Sequence, residues 1–213
     1  GVIGPDLARE FDLDAKSLSL LVSIFFLSFA ALQIPLGMCV DRWGPKPPML
    51  VTGLIAVAGT VLFSLAQDVP TLLAARLLIG AGCSSFFMGA LIIYAERFPP
   101  ERFSTMVGLQ LGIGTLGALA ATAPLAQSTR LFGWRASFLA IAALTLVLTL
   151  LVAVLVKDNP EAQARRKERR ESFAELLKGV VAAARVKSFW PVFIMQVVSY
   201  SSFAAIIGLW GGP

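Results

Sequence analysis

Long apolar runs alternate with short polar segments along almost the whole chain. A helix needs about 17–25 predominantly apolar residues to cross a bilayer. Five runs meet this length, and a sixth begins near the end of the chain. The predicted spans are residues 17–39, 49–66, 71–95, 103–126, 136–156 and 189–210. The pattern therefore predicts an all-α fold, a polytopic transmembrane helical bundle.

The polar segments between these runs predict the connections. Residues 5–16 are polar and loop-like, and residues 157–188 form a long basic segment. Short turns are predicted at residues 41–48, 67–70, 96–102 and 127–135. Apolar residues recur at helical spacing from 173 to 184, which predicts an amphipathic helix, either on the membrane surface or as a simple linker. We therefore expect a helical bundle over 1–156, a basic linker over 157–188 and the start of a second bundle over 189–213.

Composition agrees with a membrane protein. Hydrophobic residues make up 57 % of the chain, charged residues 15 %, and the mean hydropathy is +0.78. Soluble domains are about 45–50 % apolar and about 25 % charged. The chain has no His, and Cys39 and Cys83 are isolated in apolar runs. Neither a disulfide framework nor a metal site is predicted, and we expect no cofactor.

The net charge of +5 has a topological explanation. Thirteen of the 18 Lys and Arg residues lie in segments 41–48, 96–102 and 157–188. Cytoplasmic loops carry such an excess, so these segments are predicted to be cytoplasmic. No nucleic-acid-binding motif accompanies the charge, and we expect no nucleic-acid partner.

This orientation makes the first span run from outside to inside. We therefore expect one more helix to precede it, ending near residues 1–3, which gives six helices before the basic segment. The chain also has a short internal echo, because residues 43–46 and 132–135 both read aromatic-Gly-x-base. The two copies fall on opposite membrane faces, as an inverted repeat of three helices plus three would place them, although chance could produce so short a match.

Residues 37–46 combine charge and glycine in the pattern G-x-x-x-D-R-x-G-x-K. Its defined positions are Gly37, Asp41, Arg42, Gly44 and Lys46. A charge at mid-bilayer costs at least about 2.5–3.5 kcal/mol, so these residues must lie at a membrane face. The segment resembles the signature loop between helices 2 and 3 of the Major Facilitator Superfamily, with Pro47 in place of the usual last base. The resemblance covers nearly the whole chain and implies an N-terminal half, helices 2–6 with part of helix 7.

The resemblance implies that this loop holds the two transporter halves together on the cytoplasmic side in the outward-open state. Asp41 should end a helix, where the helix dipole disfavours an anion, so it should seek a cation. The candidates on the same face are Arg42, Arg97 and Arg102, and we favour Arg102 because it opens the span that follows the next cytoplasmic turn. The alternative is that these loop charges only set topology.

A second motif begins at Arg76 and includes Gly80. Residues 76–82 are similar to the helix 4 motif R-x-x-Q-G-x-G of the family, with Ile79 replacing Gln. In some members that Arg has been linked to proton movement. The alternative is that Arg76 snorkels to the outer interface as an anchor. The fourth span lacks the Gly-Pro pair of drug antiporters, which disfavours that class.

Three polar residues within the spans, Gln33, Gln110 and Thr115, are candidates for lining a cavity. Each could instead make a helix–helix hydrogen bond. The first five spans contain no acidic residue away from their ends. If transport is proton-coupled, the titrating carboxylate should therefore lie in other helices of the parent protein.

The resemblance predicts a secondary active transporter that moves a small solute by alternating access. Its partners would be the solute, membrane lipid and a second six-helix half of the same chain, in a bacterial plasma (inner) membrane. The alternative is a sensor or assembly scaffold derived from the same fold. An enzyme is not expected, because the spans contain no catalytic set of His ligands, Ser-Lys or paired Asp residues.

Overall fold

The computed structural model describes residues 2–157 and 185–210, together with residues 163, 164, 175, 179 and 182. Secondary structure in this part of the chain is helical, which confirms the predicted all-α class. The helices are α1 Gly4–Phe11, α2 Ala15–Ala31, α3 Gln33–Trp43, α4 Lys46–Ser64, α5 Val69–Cys83, α6 Phe86–Arg97, α7 Pro100–Ala120, α8 Ala123–Leu155 and α9 Phe189–Trp210.

Five helical stretches are long and apolar enough to cross a membrane, which confirms the five full spans. They are Ala15–Trp43, Lys46–Ser64, Val69–Arg97, Pro100–Ala120 and Ala123–Leu155. The charged ends of the spans are more helical than predicted. The predicted turn over 41–48 shrinks to Gly44 and Pro45, because α3 continues through Trp43 and α4 begins at Lys46.

The prediction of a loop over residues 5–16 was wrong, because α1 occupies much of this segment. Pro5 suits the first turn of a helix, and Asp12 ends α1 in a left-handed conformation (φ 51°, ψ 47°). Leu7 is 2 % exposed and packs with Ile3 against the bundle. Burial of these few apolar side chains therefore stabilises a helix within an otherwise polar segment.

The predicted turn over residues 127–135 was also wrong in extent. The chain stays helical through Phe132 and turns at Gly133, whose backbone is non-helical (φ 79°, ψ 159°). The polar residues at 127–130 therefore lie on a helix end. What remains of the predicted turn is the bend at Gly133, after which α8 resumes at Trp134.

Two spans are broken near their middle, at Leu32 between α2 and α3 and at residues 84–85 between α5 and α6. The first break lies beside Gln33 and Pro35. The Gln33 amide donates a hydrogen bond to the Ser84 carbonyl oxygen at 3.4 Å, so the two breaks lie side by side. Such bonds from neighbouring helices compensate for the backbone groups that a break frees.

The helices α4 and α5 form the packed centre of the bundle, with α8 against α4 and α2 against α5. A Cβ added at Gly82 would lie only 2.3 Å from the Ala56 nitrogen, so small residues set this close approach. Helix α7 differs, because it buries no residue and contacts mainly α6 and α8. Among the described residues, nothing lies within 4 Å of a Cβ built at Gly108, Gly112, Gly114 or Gly117.

The chain divides into two compact units, Val2–Glu168 and, together with Gly1, Arg169–Pro213. The second unit contains α9, whose first turns carry stacked rings of Phe189 and Phe193 with centroids 5.5 Å apart. The amphipathic helix predicted over 173–184 lies mostly outside the described residues. The predicted boundaries at 156 and 188 stay predictions.

Candidate functional site

The signature segment lies at the joint between α3 and α4. Gly37, Asp41 and Arg42 belong to α3, and Gly44 ends this helix by donating its backbone N–H to the Val40 carbonyl oxygen at 2.8 Å. The backbone of Gly44 (φ 86°, ψ 171°) lies in a region that is essentially restricted to glycine. The turn therefore requires glycine at position 44. A Cβ at Gly37 would only touch Met88 at 3.7 Å, an ordinary contact.

The charges of this turn face solvent. Asp41 lies in the last turn of α3 and is exposed, as is Arg42. Arg102 is exposed in the first turn of α7. Among the described residues, no ion pair joins Asp41 to Arg102 or to another base. The structure thus places Asp41 at a helix C-terminus, as predicted. The ion pair between Asp41 and Arg102 stays a prediction.

A second turn with the same backbone lies on the opposite membrane face. Gly133 has φ 79° and ψ 159°, close to the values at Gly44. Both glycines stand in the aromatic-Gly-x-base pattern, which is Trp43 to Lys46 in one copy and Phe132 to Arg135 in the other. The echo in the sequence is therefore also an echo in backbone geometry, as an inverted repeat would produce.

The turn at Gly133 is tied to its surroundings by polar contacts. The Trp134 indole N–H donates to the Glu10 carboxylate at 2.8 Å. Arg135 forms an ion pair with the same carboxylate and donates a hydrogen bond to the Ala66 carbonyl oxygen at 2.7 Å. These contacts join α1, the end of α4 and α8. We call Glu10, Ala66, Trp134 and Arg135 the outer clamp.

Aromatic rings pack beneath the outer clamp. The Phe63 ring, which is fully buried, lies 5.7 Å from the Trp134 ring and 4.7 Å from the Phe138 ring between centroids. The Arg135 guanidinium lies 4.3 Å from the centre of the Trp134 ring, a cation–π distance. Sequence reasoning missed this cluster. The available signal was Trp134-Arg135 in the second copy of the echo, with Glu10 as an acid on the same predicted face.

The outer clamp also sets the charge state of Glu10. Burial raises the pKa of Glu10, but hydrogen bonds from Trp134 and Arg135 and the charge of Arg135 lower it by more, so the net pKa lies below its ordinary value. The carboxylate is therefore held in its charged form. Its negative charge matches the cation that it binds.

Arg76 and Gly80 lie in α5, the segment that precedes the break at residues 84–85. The Arg76 guanidinium carbon lies 4.8 Å from the centre of the Phe63 ring, and its buried Nε atom has no hydrogen-bond partner in the described part of the chain. A Cβ at Gly80 would lie 2.1 Å from the Ser28 Oγ atom, so glycine allows α2 to pack on α5. Arg76 thus contacts the aromatic cluster. Its proposed roles in coupling or anchoring stay predictions.

The three candidate cavity residues have different surroundings. Gln33 bonds to the backbone of a neighbouring helix, and the Thr115 hydroxyl donates to the Leu111 carbonyl oxygen of its own helix at 2.9 Å. The buried Oε1 atom of Gln110 accepts no hydrogen bond from any described residue. The Gln33 bond joins two helices, which was the alternative to a ligand role, whereas the Thr115 bond stays within α7. The cavity-lining role of these residues stays a prediction. The side-chain oxygen of Gln110 is thus a hydrogen-bond acceptor without a partner among the described residues.

The five spans and the packed centre define an integral, multi-pass helical membrane protein. The family model described as Major Facilitator Superfamily matches residues 1–212. The chain therefore belongs to the Major Facilitator Superfamily, as its signature segment predicted.

Named relatives agree with this assignment. The chain is 30 % identical to the probable sulfoacetate transporter SauU of Cupriavidus necator, over 77 % of this chain and 38 % of the relative. It is 29 % identical to the nitrate/nitrite transporter NrtP of Nostoc punctiforme, over 84 % and 35 %. It is 32 % identical to the human monocarboxylate transporter 11, over 78 % and 36 %. The chain thus spans about a third of the length of these relatives, whose names denote transporters and not enzymes.

Proposed function

We propose that the protein is a secondary active transporter that moves a small solute by alternating access, and that this chain forms most of its N-terminal half. A second six-helix half of the same protein would complete the solute pathway. The solute would bind near the bilayer midplane between the two halves, which rock to open each side in turn. The proposed location is a bacterial plasma (inner) membrane.

The observation that carries this proposal is the contrast between the two glycine turns. The outer turn has its charges paired within this half. The inner turn presents Asp41 and Arg42 to solvent without an ion-pair partner in the described residues. Charges that are unpaired in one state can form contacts in another. An ion pair that holds the cytoplasmic side closed in one conformational state, which we call the latch, requires charges of this kind.

Within this proposal, Asp41 forms its ion pair with Arg102 when the cytoplasmic side closes. A carboxylate at the C-terminal end of α3 faces the negative end of the helix dipole, and a nearby guanidinium removes that unfavourable interaction. The pair would stabilise the outward-open state relative to the inward-open state. It would therefore act on the conformational equilibrium and leave solute selection to other residues.

The test is solute transport by Asp41→Asn in the full-length protein reconstituted into liposomes. We expect transport to fall about fivefold or more, because coupling between sites is typically about 1–3 kcal/mol. Small sulfonates, carboxylates and nitrate are the first solutes to test, with a hexose for comparison, because relatives are named for transport of these classes.

The matched control is Asp12→Asn, which removes an exposed acid on the opposite face. It should leave transport unchanged. Recovery of activity in the charge-swapped pair Asp41→Arg with Arg102→Asp would support a direct interaction. Transport at the wild-type rate by Asp41→Asn would show that the latch is wrong. A protein that moves no solute but retains a partner protein would favour the scaffold function.

A further inference from the structure

An open apolar groove of about 420 Å³ lies between α6 and α8. Both helices contact α4, but they make at most sparse contact with each other. Gly53 of α4 lies at the floor of the gap, where an added Cβ would come within 2.6 Å of Thr149 and 3.3 Å of Phe86. The walls include Phe86, Thr145, Leu148, Leu151, Val152 and Leu155.

The chemistry of the lining favours an apolar ligand. The two hydroxyls in the groove, on Thr145 and Thr149, each donate to a backbone carbonyl of α8 at 2.8 Å. The other lining side chains are hydrocarbon. No lining hydroxyl is left with a free proton to bind a water-soluble solute. The groove therefore suits a hydrocarbon chain.

The length of the groove matches one leaflet of the membrane. Its lining on α8 runs from Thr145 to Val156. At a rise of about 1.5 Å per residue this is about 16 Å, close to half of the roughly 30 Å hydrocarbon core. Leu148, Leu151 and Leu155 are exposed along it, so the groove opens sideways. Its geometry is that of a slot for one acyl chain.

Two bases lie at one end of the groove. Lys157 directly follows Val156, and Arg97 donates a hydrogen bond to the Lys157 carbonyl oxygen. Both side chains are exposed, and the charge pattern of the sequence predicts that this membrane face is cytoplasmic. Basic groups next to spanning helices on the cytoplasmic side attract anionic lipid head groups.

We propose that the groove between α6 and α8 binds one acyl chain of an anionic phospholipid of the cytoplasmic leaflet, whose phosphate is bound by Arg97 and Lys157. The apolar lining accounts for the acyl chain, and the two bases account for the charge of the head group. The site is separate from the signature turn and from the outer clamp.

The occupant can be identified by replacing Leu151 with the photo-cross-linking amino acid p-benzoylphenylalanine in the full-length protein in native membranes. We expect mass spectrometry to find a phospholipid adduct at this position. A cross-link to a protein segment would show that a helix, and not a lipid, fills the groove.

Selectivity is measured by native mass spectrometry of the purified protein with equal amounts of phosphatidylglycerol and phosphatidylcholine. We expect preferential retention of phosphatidylglycerol. Arg97→Gln and Lys157→Gln should each reduce the preference about fivefold. Arg102→Gln, which removes an exposed base on the same face, should leave it unchanged. Equal retention of the two lipids by the wild-type protein would overturn the proposal.

A substitution that fills the groove with a larger side chain provides a third test. Val152→Trp should reduce bound phosphatidylglycerol, whereas Val154→Trp, at a position 73 % exposed and outside the groove, should not. Retention that is unaffected by Val152→Trp would also overturn the proposal. If Val152→Trp fails to give a monodisperse protein, cross-linking at Leu151 and the measurement of lipid selectivity still test the proposal.

Discussion

The two turns at Gly44 and Gly133 share a backbone conformation and differ in what surrounds them. At Gly133, Trp134 and Arg135 are bound to Glu10, and Arg135 also reaches the backbone of Ala66. At Gly44, the neighbouring Asp41 and Arg42 are exposed and make no ion pair among the described residues. One turn has its polar groups satisfied within the bundle, and the other does not.

This difference separates two roles for one local geometry. A charged group whose partner is already in place in the structure, as at the outer clamp, stabilises the contacts between the helices that it joins. A charged group that lacks such a partner can change its contacts between states. The outer clamp is therefore structural, while the inner turn is suited to switching. The predictions below test this division, beginning with the largest expected effect.

Trp134→Ala should cost about 3–5 kcal/mol of unfolding free energy, the range for removing a large buried aromatic side chain. The substitution removes ring contacts with Phe63 and Phe138 and the hydrogen bond to Glu10. Denaturant unfolding of the purified protein in detergent micelles measures the change. Trp134→Phe should lose less, because it keeps the ring packing.

The matched substitution at the inner turn is Trp43→Ala. Trp43 is 57 % exposed, and exposed substitutions usually change stability by no more than about 0.5 kcal/mol. Comparable losses for Trp43→Ala and Trp134→Ala would contradict the assignment of a structural role to the outer turn alone.

Gly133→Ala and Gly44→Ala should each cost about 1–3 kcal/mol, because both residues hold a backbone conformation that is unfavourable for a residue with a Cβ. Thermal unfolding of the two variants should give similar losses. Gly108→Ala in α7 is the control, since a Cβ there meets no described atom within 4 Å and alanine favours a helix. A loss of stability in Gly133→Ala without a similar loss in Gly44→Ala would show that the two turns are not equivalent.

The smallest effect concerns pH. The pKa of Glu10 in the folded protein lies below its ordinary value of 4.5, so its stabilising contribution is present above pH 4.5 and is lost as the pH falls through the folded pKa. Glu10→Gln should remove this component and flatten the acid side of a stability–pH curve. Asp14 and Asp68, whose pKa values are also lowered, by hydrogen bonds with Ser17 and Thr71, contribute equally to both proteins.

A Glu10→Gln curve that superimposes on the wild-type curve would show that the ion pair with Arg135 contributes nothing to stability at the outer face.

The spans and the signature turn could be predicted because they depend on local information. A run of apolar residues is enough to indicate a helix in a membrane, and the charges at its ends must lie at a face. The outer clamp could not be predicted in this way. Residues 10 and 134 are far apart in the chain, and only the packing of α1 on α4 and α8 brings them together.

The errors at residues 5–16 and 127–135 have one physical cause. Polar residues were interpreted as loop, but the helices α1 and α8 continue through polar positions near a membrane face, where side chains can reach water. For Asp41, the helix end could be predicted from the charge pattern. The partner of Asp41 stays a prediction, because the described residues show no ion pair at this carboxylate.

The paired breaks at Leu32 and Ser84 have a mechanical consequence. An unbroken helix acts as a rod, so a tilt applied at one end appears at the other. Here two neighbouring helical spans are broken side by side, and the Gln33 amide forms a hydrogen bond between the two breaks. The segments α2 and α5 belong to the packed centre of the bundle, so the segments that can tilt are α3 and α6, which carry Asp41 and Arg97 near their ends. The two spans can therefore bend together at the level of these breaks.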